Sequence, residues 1–148
     1  MSVRNDIFDS VMTALDALKT DTYEADVREI QPFHENYLTK FAEHTPLLMA
    51  VDQGNDERLV YDTTHSLFSF NVSLWAYISE ENWASVQEKF NEILASIKQL
   101  IYSSPTLDSH VVAWQFIEGL GSYFDGSKSQ AHIGIQTRIL YYCENGSF

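Results

Sequence analysis

Five histidines, His34, His44, His65, His110 and His132, and the single cysteine Cys143 are the first residues to weigh for chemistry. No histidine sits in H-E-x-x-H, in H-x-H or beside the cysteine, so no metal-ligand spacing can be read and no cofactor is implied. Isolated histidines of this kind read as surface or strand-edge residues. Asp108-Ser109-His110 holds the residue types of a triad, but strand neighbours point to opposite faces and a triad needs convergence. The acid pairs Asp56-Glu57 and Glu80-Glu81 fall at element ends, where carboxylates solvate a turn or face a helix N-terminus. Glu88 and Glu92 share a helical face and mildly repel, which suits a solvated surface better than an acid/base dyad. Gly119-x-Gly121 lacks the third glycine and the following helix of a dinucleotide loop. Cys143 has no adjacent cation and reads as a buried, inert thiol. These residue types point to interaction, and the protein is expected not to be an enzyme.

Twenty-one acids against nine Lys and Arg give the 148-residue chain a formal charge of −12. That balance weighs against a DNA-phosphate contact surface and against docking on anionic membranes. The length fits one domain over 1–148, of a size that buries about 70% of its unfolded surface. One cysteine excludes an intrachain disulfide. The start, Met1-Ser2-Val3-Arg4-Asn5-Asp6, is charged rather than signal-like, and no apolar run reaches the ~18 residues of a spanning helix. Asn71-Val72-Ser73 and Asn145-Gly146-Ser147 are therefore expected to be chance sequons, and the expected compartment is a reducing cytoplasm or a particle assembled there.

The elements that must position these residues follow from periodicity. Val3, Ile7, Phe8, Val11, Leu15 and Leu18 predict a helix over 3–19, with Ser2 as its N-cap. Tyr23, Ala25 and Val27 alternate with charged residues as in a half-buried strand, which Pro32 should end. Residues 33–45 read equally as a short helix or an aromatic loop. Leu47 to Val51 form an apolar strand that stops at the acidic turn Asp52–Glu57, and Arg58 to Asp62 read as the return strand of a hairpin.

Phe68, Phe70, Val72, Leu74, Ala76 and Ile78 predict one long strand with a single face in the core. Trp83 to Ile101 keep helical spacing until Ser103-Ser104-Pro105. Residues 111–117 are almost wholly apolar, as in a strand covered on both faces, and 119–130 read as a polar, Gly-bearing loop. A last strand spans 131–141. The order is helix, three or four strands, helix, two strands: α-β-β-β-α-β-β, an α+β domain with a mainly antiparallel sheet and two amphipathic helices.

With the opening helix, the Pro46–Val51 strand before an acidic turn, the long strand Phe68 to Tyr77, the single helix 83–101 and the closing pair 111–118 and 131–142, the chain resembles the tail terminator (tail completion) proteins of long-tailed bacteriophages. The resemblance implies a small α+β protein of the virion, assembled in the host cytoplasm. It would form a hexameric ring on the head-proximal end of the tail tube, stop tube polymerisation and present a surface to the head connector. It brings no catalytic residues. On this reading the partners are further copies of the chain, the tail tube protein and the connector or neck protein, with no membrane. Acids in the bore would let DNA pass without specific binding. The ring contacts are expected from the turn holding Asp52, Asn55, Asp56, Glu57 and Arg58 and from the loop holding Tyr123, Phe124 and Asp125. Two alternatives stay open: a neck or head-completion adaptor ring, and a small cone-shaped ligand-binding or enzyme domain.

Overall fold

The computed structural model describes residues 3–20, 23, 27, 29–32, 46–62, 64–107, 111–126 and 129–144. Helix α1 (Val3–Leu15) runs into a 3-10 turn at Asp16–Lys19. Ile7, Val11, Leu15 and Leu18 are buried along one stripe, so the expected helical segment 3–19 is helical throughout. Then come β1 (Glu29–Pro32), β2 (Leu47–Asp52), β3 (Glu57–Tyr61), β4 (His65–Ser79), α2 (Trp83–Ser103), β5 (Ala113–Asp125) and β6 (Gln130–Glu144). The fold is α+β, with a mostly antiparallel sheet and two α-helices in the expected order, the four-residue β1 being the fourth strand ahead of α2.

β1 ends at Pro32, which has no backbone donor to continue a ladder. Tyr23 packs against the core and Val27 is buried within it, but neither lies in a strand. Of the strand expected from Tyr23 up to Pro32, Glu29–Pro32 is strand, and residues 24–26 and 28 lie outside the described residues, as do Ser2, His34, His44, the region 33–45, Asp108-Ser109-His110 and Asn145-Gly146-Ser147.

The strand order is β1-β2-β4-β6-β5, with β3 also on β4. The spine is the β4–β6 ladder, unbroken from His65↔Glu144 to Ser79↔Gln130. Fifteen residues of β4 at ~3.4 Å each make it about 50 Å long. Its front face, Phe68, Phe70, Val72, Leu74, Ala76 and Ile78, is buried against the helices. Its back face is not simply solvated, as alternation alone had suggested. Tyr77 joins Leu47 and Met49 in a second buried cluster there, and Ser69 and Ser73 are buried as well.

Helix α2 starts at Asn82, whose Oδ1 accepts from the Ser85 N–H at 2.9 Å, and it closes with Ser104 N–H donating to the Leu100 carbonyl before Pro105. Beneath it, Trp114 Nε1 donates to Thr137 Oγ1 at 3.2 Å, and that hydroxyl donates to the Val72 carbonyl at 2.7 Å. This buried chain crosses three strands and satisfies the indole of a residue that is fully in the core.

Three expectations change. First, β3 is not the return strand of a hairpin with β2. Both pair with β4, β2 against residues 72–77 and β3 against 66–69. They lie end to end along one edge of β4, and the segment 53–56 is an interruption in that edge, not a tip. The hairpin is β3–β4, turned at Asp62, whose carboxylate accepts from Thr64 N–H at 2.7 Å and His65 N–H at 3.3 Å. Second, 119–130 is not a loop: β5 continues to Asp125, paired with Gln130 of β6, and two register shifts between Phe116/Glu118 and Gly119/Gly121 absorb the extra residues. Gly121, at φ +109°, takes a backbone conformation open chiefly to glycine. Third, β5 is not covered on both faces. It is a border strand, and Val112 and Ile117 are exposed.

Candidate interaction site

The acidic segment between β2 and β3 is bound down onto the sheet. Asp52 forms an ion pair with Arg4 of α1, and its Oδ1 also accepts from the Gly54 N–H at 2.9 Å. The Arg4 guanidinium donates to the Asn55 carbonyl at 2.7 Å and lies 4.3 Å over the Phe70 ring. Asn55 Oδ1 accepts from Asn71 N–H of β4 at 2.9 Å. On the front face the Tyr141 hydroxyl donates to Asp56 at 3.2 Å. On the back face Gln53 and Gln136 exchange two amide hydrogen bonds of 3.0 Å. The segment therefore straddles β4 and grips β6 from both sides.

Among the residues expected to make contacts, Asp52, Asn55 and Asp56 have these intramolecular partners, whereas the side chains of Glu57 and Arg58 are on the surface, Arg58 lying 5.6 Å from the Phe68 ring centre. Arg4, Gln53, Gln136 and Tyr141 were not expected to matter here. Nothing in local sequence could have found them, because each meets its partner from a distant part of the chain.

Tyr141 stacks on Phe68 with ring centres 5.6 Å apart and meets Phe70 edge-on at 5.7 Å. Burial, with the neighbouring Asp56 carboxylate adding to it, pushes its hydroxyl well above the usual tyrosine range. Cys143, buried on the same strand, is also pushed up, by burial first and Asp56 second. A thiol held protonated in this way is a poor nucleophile.

The second expected contact group is split by the strand alternation. Tyr123 faces the back and is exposed; its ring stacks on His132 at 5.3 Å. Phe124 faces the front and meets Trp83 at 5.8 Å. Asp125 closes the β5–β6 pairing. His132 is surrounded by Trp75, Tyr77 and Tyr123, and burial among them lowers its pKa. His65 lies 4.0 Å from Glu144 at the exposed end of the β4–β6 ladder.

Among the described residues no three His, Cys, Asp or Glu side chains lie close enough to hold a metal, and every buried side-chain nitrogen or oxygen has a hydrogen-bond partner. No described helix is long and apolar enough to cross a membrane. A groove of about 480 Å³ between α1 and the end of α2 is bordered by Ser10 and Thr13, whose hydroxyls bond back to the carbonyls of Asp6 and Asp9. A second, of about 360 Å³, lies between α2 and the bulged half of β5. What the arrangement offers is surface: two borders of the sheet, with Leu59 and Val60 exposed on β3 and Ile117, Leu120 and Tyr123 on β5.

No family model matches the chain, and no curated protein matches it.

Proposed function

We propose that this protein is a ring-forming structural component of a phage tail, capping the head-proximal end of the tail tube and presenting a surface for head joining. The observation that carries the reading is the pair of unlike borders at opposite sides of one sheet. A closed ring needs a heterologous interface, one patch meeting a different patch on the next copy. β3, with Leu59 and Val60 exposed, and β5, with Ile117, Leu120 and Tyr123 exposed, are two such patches, each paired on one side among the described residues. Sheet borders left open in this way are pairing hazards for a monomer and assets for an assembly.

The two borders are staggered along the strands, β3 lying beside residues 66–69 of β4 and the bulged part of β5 beside the opposite half of β6. Copies joined through them form a closed ring when the strands are inclined to the ring axis, as in a barrel. The charge of −12 suits a bore through which DNA passes without adhering.

Mass photometry of the purified protein, alone and with tail tube protein, tests this. The expected result is a single closed species of about six copies, bound to tail tube protein in pull-downs. Binding to the connector protein alone moves the protein to the neck. A monomer that ignores tail tube protein overturns the reading.

A further inference from the structure

We infer that the groove between α1 and the C-terminal end of α2 binds a free aliphatic primary amine, its ammonium at Asp9 and its methylene chain along the groove. Ala14 and Ala17 line the α1 side, where their short side chains leave room. Leu100 near the end of α2 and Leu107 just beyond it line the other side, and both are buried, so a methylene chain laid there meets hydrocarbon. The end of the groove is held in place by the backbone. Leu107 N–H donates to the Ser104 carbonyl at 3.2 Å, and Trp114 N–H ties the Pro105 carbonyl to β5 at 2.7 Å. A volume of about 480 Å³ falls within the range of small-ligand sites and is more than one inserted side chain fills, which favours a free amine over a partner's lysine.

The polar rim on α1 accepts and does not donate. The Ser10 hydroxyl gives its hydrogen to the Asp6 carbonyl at 3.1 Å, and the Thr13 hydroxyl gives its own to the Asp9 carbonyl at 3.0 Å. What Thr13 has left for a ligand is a lone pair. One turn before it stands the Asp9 side chain, exposed and the one charged group in the groove's lining. Among the described residues no ion pair reaches it. Tyr23 also lines the groove, an aromatic ring of the kind that attracts cations over its face.

The head group follows from these partners. An ammonium donates three hydrogen bonds and accepts none, so it matches a carboxylate and a hydroxyl whose proton is committed; a carboxylate or phosphate is repelled. The neighbouring charges on α1 have the same sign as Asp9: Asp6 lies one turn before it and Asp16 two turns after, both exposed. Of the cations on these helices, Arg4 is held by Asp52 and the Lys98 ammonium lies over the Phe116 ring at 4.8 Å, while Lys19 and Lys89 make no ion pair with Asp9.

The groove shares no residue with the β3 and β5 borders, so this inference stands or falls separately from the ring reading. The test is calorimetric titration of the full chain with heptylamine, against heptanol, heptanoate, methylamine and acetyl-lysine amide. Heptylamine is expected to bind with a Kd at or below about 1 mM, weakening as salt rises, and each of the others about tenfold more weakly or not at all. Asp9→Asn should weaken heptylamine binding about tenfold with an unchanged melting temperature. Thr13→Val, which keeps the shape and loses the lone pair, should weaken it to a smaller extent. Glu88→Gln, an exposed acid toward the opposite end of α2, should leave it as it is. The inference is overturned if heptylamine does not bind at ~1 mM, or if heptanol or heptanoate binds as tightly. It is equally overturned if Asp9→Asn has no effect, or if Glu88→Gln costs as much, since the net charge alone would then draw the amine. Acetyl-lysine amide binding as tightly as heptylamine also overturns it and makes the occupant a lysine of another protein.

Discussion

Tyr141 and Asp56 are joined by a 3.2 Å hydrogen bond that holds the segment between β2 and β3 against the front of the sheet. The residue three places earlier, Gln53, holds the same segment from behind through Gln136. The two attachments lie on opposite faces of the sheet, at the levels of Phe68 and Ser73 of β4, so the segment is tied to β6 from both sides.

The first prediction concerns alkali. Tyr141 ionises less readily folded than unfolded, so the unfolded chain loses its proton first as pH rises past about 10. Stability from this group is complete below the usual tyrosine pKa of 10.0 and is lost as pH climbs toward the raised folded value. Cys143 acts in the same sense from its ordinary 9.0 upward. Tyr141→Phe should flatten part of the fall in melting temperature between pH 9.5 and 11, while costing about 1–2 kcal/mol at pH 7 through the lost bond to Asp56. An alkaline limb identical in wild type and variant would refute the assignment.

In acid, His132 is the residue to watch. Burial lowers its folded pKa, so below the ordinary value of 6.5 the unfolded chain takes up a proton that the folded chain resists. Stability should therefore decline as pH falls from 7 to 5. His132→Gln should decline less over that interval when melting temperatures are compared at both ends.

The Trp114–Thr137–Val72 chain predicts a loss out of proportion to its size. Thr137→Val keeps the volume but removes the acceptor for the buried indole N–H, leaving it unsatisfied. Such a group costs about 1–3 kcal/mol. Urea unfolding should show a lower midpoint with an unchanged slope. An unshifted midpoint would mean that another acceptor replaces the hydroxyl.

Gly134 is the tightest of the described glycines. A Cβ there would fall 2.8 Å from Trp75 Cη2 and Cζ3 and 2.9 Å from Leu120 Cβ, so Gly134→Ala must displace the indole. The expected cost is about 1–3 kcal/mol, with a changed near-UV signal from Trp75. A variant with wild-type stability and spectrum would show that the ring is not packed on this backbone.

Much of this architecture was legible because periodicity reports burial. The stripe Ile7, Val11, Leu15 and Leu18 marks α1, and the alternation from Phe68 to Ile78 marks β4. Periodicity says which face is buried, however, not which strand lies alongside. That is why β3 passed for the partner of β2: a turn rich in Asp, Asn and Gly interrupts a strand edge and reverses a chain with the same residues. The run 119–125 reads as a loop because Gly119, Gly121 and Ser122 carry no pattern, whereas in β5 the two glycines flank a register shift that a sequence does not announce.

The strand last in chain order, β6, lies between β4 and β5 and joins them. During synthesis, then, the fold cannot close as the chain emerges. Until residues 130–144 leave the ribosome, β4 has no partner along one whole edge and β5 has none at all among the described strands. Folding must wait for the completion of β6, and the ring proposed above, which would need the finished borders, would wait with it.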